Sequence, residues 1–197
     1  RVHGVTVNEE GKWAIISDYI EGETLAEKMA KDPENLEKYM KQFVEIQLEI
    51  HDKTAPLLNK MKDKMSVRIN SLKAVNATTR YELSTRLEGM PKHKKVLHGD
   101  YNPTNVVIDK EGKYYILDWS HATQGNASAD AATTYLLLTL QDPKLAEMYM
   151  NMFCDMSDTA KQYVQRWLPI VAASRLTKAI PEEKDLLEKW LDVVEYE

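Results

Sequence analysis

His98-Gly99-Asp100-Tyr101-Asn102-Pro103-Thr104-Asn105 runs on into Val106-Val107-Ile108 and, past a polar break, into Tyr114-Tyr115-Ile116-Leu117-Asp118-Trp119. The break is Asp109-Lys110-Glu111-Gly112-Lys113. Turn-forming residues with an apolar, β-prone stretch on each side predict a β-hairpin. With Glu111 near the tip, position 105 faces 117 and position 104 faces 118. The open ends of a hairpin meet, so Asn105 and Asp118 become near neighbours although they are thirteen apart in sequence. Asp100 lies on the loop that enters the first strand. Two carboxylates and an amide thus converge at one mouth. A loop rich in Asn and Asp would explain each of these residues singly; it does not explain their convergence.

Carboxylate and amide oxygens are hard ligands that suit Mg²⁺, which takes one or two protein carboxylates and completes its shell with water and substrate phosphates. Asn105 and Asp118 supply that minimal set, and Asp100 is left to accept a hydroxyl proton. Phosphoryl transfer needs these parts: metal on the phosphates and a base that orients the acceptor.

His-Gly-Asp, four residues, Asn, then a strand ending in Asp-Trp resembles the catalytic core of the aminoglycoside phosphotransferase and choline kinase-like superfamily, relatives of the protein kinases. Protein kinases carry His-Arg-Asp with Asn five residues after the Asp, then Asp-Phe-Gly. Asp100 and Asn105 keep that spacing, Gly99 stands where the Arg would be, and Asp118-Trp119 stands for Asp-Phe. The Gly and the short stretch between Asp118 and Asp130 favour the small-molecule branch over a protein kinase. The resemblance implies that Asp100 is the catalytic base and that Asn105 and Asp118 bind Mg²⁺. It further implies that His98 holds the loop and that Asp130 braces it through backbone amides. Capping a helix is the plainer role for Asp130, since acids are favourable in a first turn.

The resemblance extends upstream. Ile15-Ile16-Ser17-Asp18-Tyr19-Ile20-Glu21-Gly22 is similar to the last strand of an N-terminal lobe running into the hinge that holds adenine. In that register the Asp18 carbonyl and the Ile20 amide face the base of ATP or GTP, with Ser17 at the back of the pocket. His51 also fits a family pattern. The family's Gly-rich phosphate loop and its Lys–Glu pair would lie before Arg1, which implies that residues 1–197 alone have weak kinase activity or none. The expected division is residues 1–22 as the end of the N-terminal lobe and the hinge, and 23–197 as a helical C-terminal lobe. The expected function is transfer of the γ-phosphate to a hydroxyl of a small molecule. The alternative is a non-catalytic, kinase-like nucleotide-binding protein.

Outward from this core, Val2–Val7 and Trp13–Ile16 predict a first hairpin around Asn8-Glu9-Glu10-Gly11-Lys12. Thr24 is placed to cap a short helix. Asp32-Pro33 marks the start of another, with Leu36, Met40, Phe43, Ile46 or Gln47, and Ile50 at helical spacing to about Asp52. Further helices are expected at about 67–87 with Ser66 as cap, from Ser128 to about Leu140, and from Asp142-Pro143 to about Phe153. The last two should run from about Asp158 to Lys178 and from Pro181 to about Val194. Helices with two small hairpins make an α+β fold, here a protein kinase-like C-terminal lobe with a remnant of the N-terminal one. The acceptor pocket is expected between the helices after Asp130 and the 67–87 region. An acidic pocket there would suit an amine such as an aminoglycoside or choline, with Asp155 and Asp158 as candidates. His121 and the Met and Trp residues are read as structural.

The remaining composition narrows the classes. The 197 residues allow one large domain, and 43% hydrophobic with 29% charged residues is ordinary for a globular protein. A net charge of -5 and the lack of a long basic run argue against a nucleic-acid partner. No apolar run approaches the roughly 18 residues of a membrane span. The single cysteine, Cys154, excludes an internal disulfide and a cysteine-based zinc site, and fits the reducing cytoplasm.

Overall fold

The structure is a computed structural model that describes residues 1–192. Strands β5 (Val106–Asp109) and β6 (Tyr114–Ile116) pair antiparallel, Val106 opposite Ile116 and Ile108 opposite Tyr114. The Leu117 N–H donates to the Asn105 carbonyl at 2.8 Å, so the ladder continues one step towards the mouth. This is the register of a tip at Glu111. A strand absent from the sequence reading, β3 (Gly22–Thr24), covers the other edge of β5, with Gly22 opposite Asp109 and Thr24 opposite Val107. A Cβ on Gly22 would lie 2.3 Å from the Ile108 carbonyl oxygen, so only glycine lets the two backbones come this close.

Two further pairs complete the β-structure. β1 (Val2–Val7) and β2 (Trp13–Ser17) form their own hairpin, with Val5, Trp13 and Ile15 exposed. β4 (Lys95–Leu97) pairs antiparallel with β7 (Thr123–Gly125). Thr-Gln-Gly carries no strand signal of its own; pairing with the buried Val96-Leu97 makes it one.

The helices follow their caps. α1 (Leu25–Lys31) opens with a capping box: the Thr24 hydroxyl accepts from the Glu27 N–H at 3.1 Å and the Glu27 carboxylate accepts from the Thr24 N–H at 2.8 Å. α2 (Leu36–His51) is preceded by a turn of 3₁₀ helix at Pro33–Asn35, and buries Met40, Phe43, Ile46, Gln47 and Ile50. Asp32 caps no backbone there; its carboxylate takes the Asn35 amide and the Tyr39 hydroxyl, both at 2.9 Å. The single helix expected at 67–87 is two, α3 (Met61–Ser71) and α4 (Ala77–Gly89). Buried Leu72 and Val75 turn the chain inward between them, and Asn76, accepting from the Thr79 N–H at 2.9 Å, caps the second. Ser66 lies inside α3 and caps nothing.

α5 (Ala127–Gln141) is capped by Asn126, which accepts from the Ser128 N–H at 3.0 Å, and not by Ser128 itself. α6 (Pro143–Ser157) starts from Asp142, which accepts from the Lys144 N–H at 2.9 Å. The long helix expected from Asp158 to Lys178 is divided into α7 (Lys161–Gln165) and α8 (Leu168–Leu176). Pro169 has no N–H to offer the Gln165 carbonyl, so the hydrogen-bond ladder lapses there. Asp158 closes α6 with a left-handed φ of 50°. α9 (Lys184–Lys189) follows a 3₁₀ turn at Pro181–Glu183, and the expected end near Val194 lies outside the described residues. The core sits where α2, α5 and α6 pack, and α3, α4 and α8 close it on the other side of α5. The fold is α+β. Among the described residues no helix is long and apolar enough to cross a membrane.

Candidate active site

Asp100 sits on the loop between β4 and β5, and the backbone before it is forced into an unusual shape. Gly99 has φ +80°, and a Cβ there would lie 2.5 Å from the His121 carbonyl oxygen. Both observations demand glycine. His98 is buried beneath the loop. Its Nδ1 faces the Asp100 N–H at 3.2 Å, which places the ring proton on Nε2, 2.8 Å from the Leu117 carbonyl oxygen. One imidazole therefore ties the loop to the end of the hairpin. A Gly99→Ala protein is expected to lose at least about 1–3 kcal/mol of stability through backbone strain alone. Because the clash would displace Asp100, its activity should fall further than its stability. Denaturant unfolding and turnover measured on the same preparation check this.

Asp130, in the first turn of α5, is fully buried and serves as a hub. Its Oδ1 accepts from the Gly99 N–H at 2.8 Å, and its Oδ2 from the His98 N–H at 3.3 Å. His51 Nε2 lies 2.9 Å from the same Oδ2, and the Gln47 amide reaches it at 3.4 Å. Burial pushes the carboxyl pKa up, but the His51 hydrogen bond and the Gly99 amide pull it back below the usual carboxylate range. The helix cap is Asn126, so Asp130 is not spent on capping. Gln47 and Thr134, bonded to each other at 3.1 Å, extend the network, and the Thr134 hydroxyl donates to the Tyr101 carbonyl at 2.9 Å. The sequence reading missed both as supports of the loop. A polar Gln on the buried stripe of α2 was the available signal.

At the hairpin mouth, the Asn105 side-chain nitrogen donates to the Asp100 carbonyl at 2.9 Å. That commits the NH₂ group to the loop and leaves the amide oxygen as the atom available to a cation. Asp118 follows the end of β6 with a left-handed φ of 54°, a conformation Asp tolerates. It accepts from the Ser120 hydroxyl at 2.6 Å, and this bond holds its carboxyl below the usual range, so it is ionised near neutrality. Among the described residues no group of three or more His, Cys, Asp or Glu could hold a metal ion. One carboxylate and one amide oxygen instead fit a cation that brings the rest of its shell with it, as Mg²⁺ does with phosphates.

Asp18 and Ile20 lie on the segment linking β2 to β3. Asp18 contacts His3 at 2.5 Å, and Glu21 takes the Lys110 ammonium at 2.6 Å. Because β3 enters the sheet with Gly22 opposite Asp109, this segment arrives at the turn end of the hairpin, four residues from Asn105. At about 3.3 Å per residue that is roughly 13 Å along the strand.

A cavity opens on the other side of Asp100. It encloses about 70 Å³, and Asp100, Gly99, His121 and Thr123 form part of its wall. α3, α5 and α8, with Leu97 and Lys178, supply the remaining wall. Neither Asp155 nor Asp158 reaches it. Asp155 instead borders a shallow depression with Glu37 and Lys41, between α2 and α6.

The chain has clear relatives. A model of the phosphotransferase enzyme family, APH, matches residues 1–167. No curated protein sequence matches. Among solved structures, choline kinase LicA from Streptococcus pneumoniae is similar with a TM-score of 0.64 at 16% identity, over 97% of this chain and 74% of that one. A thermostable mutant of aminoglycoside phosphotransferase APH(4)-Ia, in ternary complex with ADP and hygromycin B, reaches 0.68 at 15% identity, over 96% and 72%. A choline/ethanolamine kinase family protein from Mesorhizobium loti reaches 0.57 at 13% identity, over 98% and 69%. At these identities the likeness to the solved structures is one of fold.

Proposed function

The chain belongs to the phosphotransferase enzyme family, and on that premise we propose that it is a kinase moving the γ-phosphate of ATP or GTP to a hydroxyl of a small molecule. The observation that carries this is the hairpin mouth. The Leu117 N–H bonds the Asn105 carbonyl one residue before Asp118, and the Asn105 side chain in turn holds the backbone of Asp100, which supports the three acting at one mouth. In this reading residues 1–22 are the end of an N-terminal lobe and the hinge, and 23–197 the C-terminal lobe.

Asp100 takes the proton of the acceptor hydroxyl as its oxygen forms a bond to the γ-phosphorus. The bond from that phosphorus to the bridging oxygen breaks, and the nucleoside diphosphate leaves with the electron pair. Asn105 and Asp118 would hold Mg²⁺, which when bound neutralises phosphate charge. The backbone of Asp18 and Ile20 would hold the base. Their segment reaches the turn end of the hairpin while Asn105 and Asp118 stand at its mouth, so an extended nucleoside triphosphate can lie along β5. His98 and Asp130 are positioning residues; their hydrogen bonds fix the loop.

Incubating the intact protein with ATP or GTP, Mg²⁺ and a panel of alcohols tests this. Phosphorylated alcohol should form, chelation should abolish it, and Asp118→Asn should weaken the apparent affinity for Mg²⁺ at least about tenfold, since loss of a mere supporting contact already costs 10–100-fold. Nucleotide binding without transfer to any acceptor would instead mark a non-catalytic binding protein.

A further inference from the structure

The cavity beside Asp100 has a charge that runs against the rest of the chain. Its lining includes Lys64, Arg68, Arg175 and Lys178 against the carboxylates Asp100 and Asp130, a balance of +2 from four cations and two anions, in a chain of net charge -5. Two of these charges are already answered. Arg175 is held by Glu183 through two bonds of 2.7 and 2.6 Å, and Asp130 by His51 and the loop amides. Lys64, Arg68 and Lys178 have no carboxylate within 4.0 Å among the described residues. They come from two separate elements. Lys64 and Arg68 stand one turn apart on α3, and Lys178 follows α8.

We propose that the acceptor is an alcohol that also carries an oxyanion, a carboxylate or a phosphate, and that Lys64, Arg68 and Lys178 receive that group while its hydroxyl faces Asp100. The inference rests on the kinase reading and names its substrate class. Arg68 is aimed by its bond to the Ser174 hydroxyl at 3.0 Å, and Lys64 by the His121 carbonyl at 3.3 Å, so both cations are fixed at the wall. Burial, then the neighbouring Arg68 and Lys178, push the Lys64 pKa down, and burial does the same to Arg68. A bound oxyanion relieves both effects, and a guanidinium fork matches carboxylate and phosphate geometry. Neither Asn105 nor Asp118 lines the cavity, so its charge is not the clamp for the nucleotide phosphates. An amine such as choline would meet like charge there. An amine acceptor would need an acidic pocket, and the candidates for one, Asp155 and Asp158, lie elsewhere.

Two measurements on the intact protein separate this from the kinase reading. In the first, D-glycerate, glycerol 3-phosphate, glycerol and choline are titrated calorimetrically without nucleotide. The two oxyanions should bind and choline should not, and K64M/R68M should weaken oxyanion binding at least tenfold. Choline binding as tight as either oxyanion overturns the proposal, as does oxyanion binding that the double variant leaves unmoved. Lys178→Met, on a different element, gives the same comparison should the double variant not fold. In the second, phosphoryl transfer from ATP is compared over the same four compounds. Glycerate or glycerol 3-phosphate should have the highest kcat/KM, and the higher of the two tells carboxylate from phosphate. In K64M/R68M its KM should rise at least tenfold, with Arg68→Lys restoring part of the loss. Transfer that favours choline or glycerol refutes the oxyanion inference alone. Oxyanion binding without transfer to any acceptor refutes the kinase reading and the acceptor role together.

Discussion

Replacing Asp100 by Asn is expected to lower kcat by on the order of 10²–10⁴, the usual worth of a positioned general base, with little change in stability or in the KM for nucleotide. The bonds that hold the loop at Asp100 use its main chain: its carbonyl accepts from the Asn102 and Asn105 side chains at 3.0 and 2.9 Å, and its N–H faces His98. All three survive the substitution. The side chain itself is half-buried in the wall of the cavity, where Asn has nearly the same size. What disappears is the capacity to accept a proton. Steady-state kinetics beside a thermal melt separates the two effects. A variant with near-normal kcat would remove Asp100 from the chemistry, and one that melts early would make its role structural.

Asp130→Ala is expected to cost about 3–5 kcal/mol, as removal of one partner from a buried charged network does. Two loop amides, the His51 ring and the Gln47 amide would lose their acceptor at once. For a domain of this size the melting temperature should fall by on the order of 10 °C. Catalysis should fall as well, since the Gly99 turn that aims Asp100 would lose its anchor. The pH dependence follows from the direction of the Asp130 shift. Its folded-state pKa is depressed despite burial, so its contribution is fully present above the unfolded value and is lost as pH falls through the folded one. The stability difference between the natural protein and Asp130→Ala should therefore be constant from neutral pH down to about pH 4, the ordinary Asp range, and shrink only below it. Urea unfolding across that range checks the sign. A difference that shrinks already between pH 7 and 5 would mean that burial wins and the group titrates high.

The hairpin at the centre of the site was legible because its signals are local. A polar turn between two apolar runs fixes the register by counting, and a tip at Glu111 sets Asn105 opposite Leu117, the residue before Asp118. The resemblance drawn from the His-Gly-Asp loop is to the family whose model matches residues 1–167. Caps were read well where side chain and helix adjoin, as at Thr24 and Asp142, and badly where two candidates stood close together. Asn126 took the place expected of Ser128 because its side chain, at the Ncap, reaches the Ser128 N–H. The break between α3 and α4 was hidden because buried Leu72 and Val75 kept the apolar pattern going through the bend.

What the sequence alone determined is the hairpin: which oxygens it carries near its mouth, and the turn whose length sets its register. What only the tertiary structure decided is everything that depends on elements remote in sequence packing at one place. Gln47 and His51 on α2 share one buried polar network with Asp130 on α5, because a buried carboxylate must be met by donors from whichever elements surround it. The sign of charge beside Asp100 was settled in the same way. Lys64, Arg68 and Lys178 are unremarkable in an acidic chain until α3 packs on α8 and α8 on α5 and they come to one wall, with no carboxylate within 4.0 Å of them among the described residues.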